Sequence, residues 1–134
     1  MPPELDDATL LARFESLELA AGEFHHREHI RLAFAMLRGA DFGEAALRFR
    51  AGLRRFATAA GAPAKYHETL TWAYLALVAR CMAERDYPSS LALLDARPDL
   101  LDHRNGLIAR YYDVAAITAS PLARRVFVLP EPSR

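Results

Sequence analysis

The 134-residue sequence contains one cysteine, Cys81, and one lysine, Lys65, against sixteen arginines. A single cysteine excludes an intrachain disulfide and any cysteine-rich zinc or iron–sulfur site, so a metal ion would have to be held by His, Asp or Glu. A glycine-rich phosphate loop and a G-x-S-x-G motif are both absent from the sequence. Nucleotide hydrolysis and serine-hydrolase chemistry are therefore poor candidates for the function.

An excess of charge of one sign and a long apolar run are also lacking. Lys plus Arg (17) equal Asp plus Glu (17), and the two signs alternate along the chain, so no basic surface for nucleic acid or an anionic membrane is predicted. No apolar run reaches the roughly 18 residues of a membrane span, and the first residues lack the basic start of a signal peptide. We expect a cytoplasmic protein that binds neither nucleic acid nor a membrane.

The sequence is rich in long Ala-, Leu- and Arg-containing segments bounded by Gly and Pro, and 52% of its residues are apolar. Apolar residues recur at spacings of three or four, which predicts an all-α fold. The length fits one domain, so we expect residues 1–134 to form a compact bundle of five to seven helices. Residues 69–83 carry a single charge, Arg80, which predicts a central buried helix. The residues from Ser120 onward are expected to form an extended tail.

Three of the five histidines fall within five residues at a predicted helix start: His25, His26 and His29. Residues three or four apart share a helix face, so His29 can pair with either His26 or His25 on one metal ion. His26 lies on the apolar stripe that continues through Ile30 and is expected to point inward. Spacing alone leaves both pairs open.

A fourth histidine, His67, begins the most apolar predicted helix. An imidazole there needs a hydrogen-bond partner or a metal ion, because burying an unpaired polar group costs a few kcal/mol. We predict that His26, His29 and His67 together hold a divalent ion, which would be iron, copper or zinc. The adjacent Glu68 is the predicted catalytic residue, acting as a general base.

Aromatic residues are the predicted contacts to a small-molecule substrate. Tyr111 and Tyr112 are adjacent and therefore point to different helix faces, so one of the two hydroxyls is expected to face the central site. Trp72 is the third predicted substrate contact. His103 has polar neighbours in the sequence and is predicted to lie on the surface.

Three short motifs follow one another along the chain: Phe24-x-His26-x-x-His29, Tyr66-His67-Glu68-Thr69, and Leu101-Asp102 followed by Tyr111-Tyr112. In this order they resemble the motifs F-x-H-x-x-H, Y-H-E-T and L-D…Y-Y of a small bacterial all-helical family of uncharacterised proteins. The resemblance implies that His26, and not His25, is the partner of His29. It also implies a joint role for His67 and Glu68, and it implies no particular reaction.

These features predict a small metalloenzyme whose mononuclear histidine site activates dioxygen or water on a small organic substrate. Oxidoreductase chemistry is preferred over hydrolysis, because histidine ligands flanked by tyrosines suit iron and copper as well as zinc. Two alternatives stay open. One is a non-enzymatic helical module that binds a metal or a partner, and the other is a metal-free enzyme with His67 and Glu68 as its acid/base pair. A homodimer is compatible with each.

Overall fold

The computed structural model describes residues 4–132, and within that range it contains seven α-helices, four short 3-10 segments and no strand. The helices are α1 (Asp7–Glu15), α2 (His26–Gly39), α3 (Phe42–Ala59), α4 (Glu68–Glu84), α5 (Ser90–Ala96), α6 (Val114–Ala119) and α7 (Pro121–Arg125). The 3-10 segments are Ala21–Glu23, Pro63–Lys65, Pro98–Leu100 and Leu107–Arg110. The predicted all-α bundle of five to seven helices is confirmed. No helix in residues 4–132 has the length and hydropathy of a bilayer span.

Short polar side chains begin most of the helices. Asp41 is the N-cap of α3, since its carboxylate accepts the backbone N–H of Glu44 at 2.8 Å. Such a bond satisfies one of the amide donors that a helix start leaves free. α1 ends at Glu15, and Leu17 just after it adopts a left-handed φ of 64°.

Two helices share the centre of the bundle. The predicted central helix α4 packs against α2, α3 and α7, while α2 packs against α1, α3, α4 and α5. The central position of α2 is less evident from the sequence, since α2 carries Arg27, Glu28 and Arg31 among its apolar residues. Arg31 is nevertheless only 1% exposed.

The buried guanidinium of Arg31 is surrounded by partners from two other parts of the chain. Its Nε donates to the hydroxyl of Ser90 at 2.8 Å, and its Nη2 donates to the carbonyl of Leu5 and to Asp7 Oδ1, the latter at 3.3 Å. Asp7 also accepts the backbone N–H of Ser90 at 2.8 Å and the Ser90 hydroxyl. This Arg31 cluster (Arg31, Asp7, Ser90 and Leu5) ties α1, α2 and α5 together, and it supplies the partners that a buried charge requires.

The C-terminal segment begins its extended course later than predicted. Ser120 is the N-cap of α7, and only the residues after α7 lack regular structure. The hydroxyl of Thr69 lies 2.7 Å from the carbonyl oxygen of Ala123 and 2.8 Å from that of Val126, and it accepts the N–H of Val128 at 3.1 Å. The segment therefore crosses the start of α4 and is fixed to its first turn.

Candidate functional site: a histidine-lined pocket

A pocket of about 570 Å³ lies between the N-terminal ends of α2 and α4 and the C-terminal half of α3. This volume is within the range of small-molecule sites. Most of its wall is aromatic or aliphatic, with contributions from Phe24, Phe49, Phe56, Tyr66 and Tyr74. All five histidines of the chain line it, namely His25, His26, His29, His67 and His103.

His29 lies in the pocket wall, and its Nε2 has no hydrogen-bond partner within residues 4–132. Its Nδ1 donates to the carbonyl of His25 at 3.2 Å. Because a carbonyl only accepts, this bond fixes the proton on Nδ1 and leaves a lone pair on Nε2. Burial, with a smaller effect of His26, lowers the pKa of His29 to about 4, although the bond to His25 works in the opposite direction. At neutral pH His29 is uncharged and has one unused hydrogen-bond acceptor.

His26 lies beside His29, and its ring is fixed by a tertiary hydrogen bond. Its Nε2 donates to the carbonyl of Leu100 at 2.8 Å. The ring centre of His26 is 4.8 Å from that of Tyr74, 6.5 Å from that of His29 and 5.5 Å from that of His103. Burial lowers the pKa of His26; the bond to Leu100 raises it, and His103 lowers it further. His103 is exposed, as predicted, but it also lines the pocket.

Both ring nitrogens of His67 have backbone partners. Its Nδ1 accepts the N–H of Leu70 at 3.1 Å, which caps α4, and its Nε2 donates to the carbonyl of Ile117 at 2.8 Å. Burial lowers the pKa of His67; the bond to Ile117 raises it, and Arg124 lowers it further. His67 thus joins α4 to α6 and has no free lone pair in this arrangement.

The three predicted metal ligands, His26, His29 and His67, therefore line one pocket but do not converge on one point. Within residues 4–132, no group of three His, Cys, Asp or Glu side chains is arranged to hold a metal ion. The physical reason at His67 is that a metal ion would have to displace one of its two hydrogen bonds.

Glu68, the predicted catalytic residue, is held outside the pocket. Arg50 Nε donates to its two carboxylate oxygens at 2.9 and 3.0 Å, and the hydroxyl of Tyr66 donates to one of them. Burial acts to raise the pKa of Glu68, but the bonds from Tyr66 and Arg50 outweigh it and the pKa is lowered. Glu68 is not among the described residues that line the pocket. Its position suits it to anchoring Arg50 and Tyr66, since a lowered pKa makes a weak base.

The predicted substrate contacts have other partners. The hydroxyl of Tyr111 accepts from Arg80 at 2.9 Å, and that of Tyr112 donates to the carbonyl of Val128 at 2.9 Å. Neither these two tyrosines nor Trp72 are among the described residues of the pocket wall.

Tyr66 and Tyr74 supply the tyrosines of the pocket instead. The hydroxyl of Tyr74 is buried and has no hydrogen-bond partner among the residues of the described range. The sequence holds a signal for Tyr74, since it follows His67 by two helical turns and shares its helix face. No such local signal exists for His103, whose loop reaches His26 only through the tertiary fold.

Comparisons with models of protein families, with curated proteins and with solved structures found no match for this chain. The fold and the site together define a class in physical terms. The chain is an all-α domain with a largely apolar pocket of small-molecule size, lined by all of its histidines.

Proposed function

We propose that this protein binds a small organic molecule in the histidine-lined pocket and that His29 accepts a hydrogen bond from that molecule. The observation that carries the proposal is the unused Nε2 of His29 beside a largely apolar wall. A few polar groups in an otherwise apolar concavity are typical of small-molecule sites, where the apolar area supplies affinity and the polar groups supply orientation.

The pKa of His29 favours a binding role over a role as general base. A general base works best when its pKa is near the operating pH, whereas burial lowers the pKa of His29 to about 4. The neutral imidazole remains a good hydrogen-bond acceptor, and it takes up a proton only from an acidic ligand. This interpretation keeps the small-molecule ligand expected from the sequence and gives no acid/base role to His67 or Glu68.

The test is a titration of 1-naphthol followed by amide chemical shifts, with 1-methoxynaphthalene as the matched ligand that lacks the donor hydrogen. We expect shifts at the pocket residues and a roughly fivefold preference for 1-naphthol, because one hydrogen bond contributes on the order of 1 kcal/mol. The preference should disappear in His29→Leu.

Two tryptophan variants test whether the ligand binds in the pocket. Ala57→Trp places an indole in the pocket wall and should abolish binding, whereas Ala51→Trp, at an exposed position of the same helix, should not. Equal binding by wild type and Ala57→Trp would contradict the proposal.

The metalloenzyme is the second candidate, and the spacing of three imidazoles favours it. The ring centre of His26 is 6.5 Å from that of His29 and 5.5 Å from that of His103. Two imidazoles that share a metal ion through bonds of about 2.1 Å at tetrahedral angles have ring centres roughly 5 Å apart. His26 and His103 are near this spacing, whereas His26 and His29 would have to move closer together to share the ion. In this candidate His103 replaces His67 in the predicted ligand set, and the ion is iron, copper or zinc.

Elemental analysis of untagged protein tests the metal candidate. Near one equivalent of metal is expected in the wild type and in His67→Ala, and little in His29→Ala or His103→Ala, with folding of each variant checked by circular dichroism. A wild type that carries no metal and takes up none on addition would exclude this candidate.

A further inference from the structure

Lys65 lines one side of the pocket, and two further cations lie beside that part of the chain. The guanidinium of Arg54 lies 5.9 Å from the ring centre of Tyr66, and Arg124 donates to the carbonyl of Ala64 at 2.9 Å. Within residues 4–132, none of these cations lies within 4.0 Å of a carboxylate oxygen. Asp and Glu are also missing from the described wall of the pocket. This basic side (Lys65, Arg54 and Arg124) therefore favours a negatively charged group.

The other side of the pocket contains the buried hydroxyl of Tyr74. The residue is 9% exposed and forms part of the wall, and its hydroxyl is bonded to nothing in the described structure. Buried hydroxyls are nearly always paired. Burial, and to a smaller extent Asp102, raises the pKa of Tyr74, so the hydroxyl keeps its proton and is available as a donor. A ligand group at this point would supply the missing partner.

The two polar sides are separated along α4. Tyr74 follows His67 by seven residues, which corresponds to about 10 Å of helix rise. Apolar and aromatic side chains, including Leu70 and Phe49, line the pocket around this path. The spacing fits a flat molecule that has a polar group at each end.

Resting on the small-molecule binding proposed above, we propose that the ligand is an aromatic carboxylic acid with a hydroxyl group at its far end. Its carboxylate lies at Lys65, and its second polar group lies at the hydroxyl of Tyr74. The basic side favours the carboxylate, and the aromatic and apolar wall favours the aromatic ring. The unpaired hydroxyl of Tyr74 favours the second polar group.

Isothermal titration with three probes tests this assignment. 4-Hydroxycinnamate has both polar ends, cinnamate lacks the hydroxyl, and 4-hydroxycinnamamide lacks the charge. We expect the amide and cinnamate each to bind roughly tenfold more weakly than 4-hydroxycinnamate.

The protein variants assign each preference to a residue. Lys65→Met should remove the preference for acid over amide, and Tyr74→Phe should remove the preference for 4-hydroxycinnamate over cinnamate. Arg125→Met and Tyr112→Phe change a cation and a tyrosine hydroxyl outside the described wall and should leave both preferences intact.

The outcomes separate this inference from the proposed function. Equal binding of acid and amide by the wild type, or a preference for the acid that survives in Lys65→Met, overturns the ligand class. If 1-naphthol binds in the pocket and none of the three probes does, the ligand class is wrong and the binding function stands. If neither 1-naphthol nor any of the three cinnamate probes binds, the ligand class and the proposed binding function are both wrong.

Discussion

The Arg31 cluster and the pocket are two groups of buried polar side chains that meet on α2, and their hydrogen bonding differs. In the Arg31 cluster the guanidinium, the carboxylate of Asp7 and the hydroxyl of Ser90 bond to one another. In the pocket, His29 keeps a free Nε2 and Tyr74 an unpaired hydroxyl. Polar groups that serve the fold are normally fully bonded. Incomplete bonding in a concavity therefore distinguishes the pocket as the place for a ligand.

The largest expected effect comes from breaking the bonded cluster. Arg31→Met leaves the partly buried Asp7 without its cation, so we expect the free energy of unfolding to fall by about 3 kcal/mol, measured by urea denaturation. Arg27→Met is the matched control on the same helix. The Arg27 side chain is 38% exposed, and its loss should cost less than about 1 kcal/mol. Similar losses for the two variants would remove the distinction between the Arg31 cluster and an ordinary surface ion pair.

A comparable loss of stability is expected on acidification, because burial depresses the pKa of His29. In the unfolded chain a histidine titrates near pH 6.5, whereas His29 in the folded protein titrates at about pH 4. Between these values only the unfolded state binds the proton, so the stabilisation is complete above pH 6.5 and is lost as the pH falls toward 4. We expect a decrease on the order of 3 kcal/mol across this window, because a pKa shift of one unit corresponds to about 1.4 kcal/mol.

The measurement is urea denaturation between pH 4 and pH 8. His29→Gln should flatten the profile, and His26 and His67, whose pKa values are also lowered, account for the slope that remains. A profile of His29→Gln that matched the wild type would show that His29 is not desolvated.

The smallest expected changes in stability come from removing one tyrosine hydroxyl at a time. Tyr74→Phe removes an unpaired buried hydroxyl, and we expect no loss of stability, or a gain of up to about 1 kcal/mol. Tyr112→Phe removes a hydroxyl that donates to Val128, so it should cost about 1 kcal/mol. Thermal unfolding of the two variants measures both changes, and a destabilised Tyr74→Phe would mean that this hydroxyl has a partner in solution.

Local sequence signals predicted much of the fold. Asp41 follows the end of one apolar repeat and begins the next, and the structure places it at a helix N-cap. The sequence also required a partner for His67, and the structure provides two backbone groups. The burial of Arg31 has no local signal, because Ser90 lies 59 residues away in the chain.

The candidate site was predictable to a lesser degree. The spacing of His26 and His29 indicated a shared side of α2, and both line the pocket. The position of Tyr74 two helical turns after His67 indicated that the two residues share one face of α4. His103 reaches the pocket only through the packing of its loop against α2, which no spacing along the chain encodes. For the same reason Tyr111 and Tyr112 could not be assigned to the pocket or to other partners before the fold was known.

The hydrogen bonds of the Thr69 hydroxyl determine which parts of the protein can unfold together. Because one side chain in the first turn of α4 contacts the backbone of Ala123, Val126 and Val128, the start of α4 and the C-terminal segment cannot separate independently. Amide hydrogen exchange should therefore treat them as one cooperative unit, with similar opening free energies despite a separation of more than fifty residues in the chain. When that unit opens, His67 loses its bond to Ile117, and the wall of the pocket opens with it.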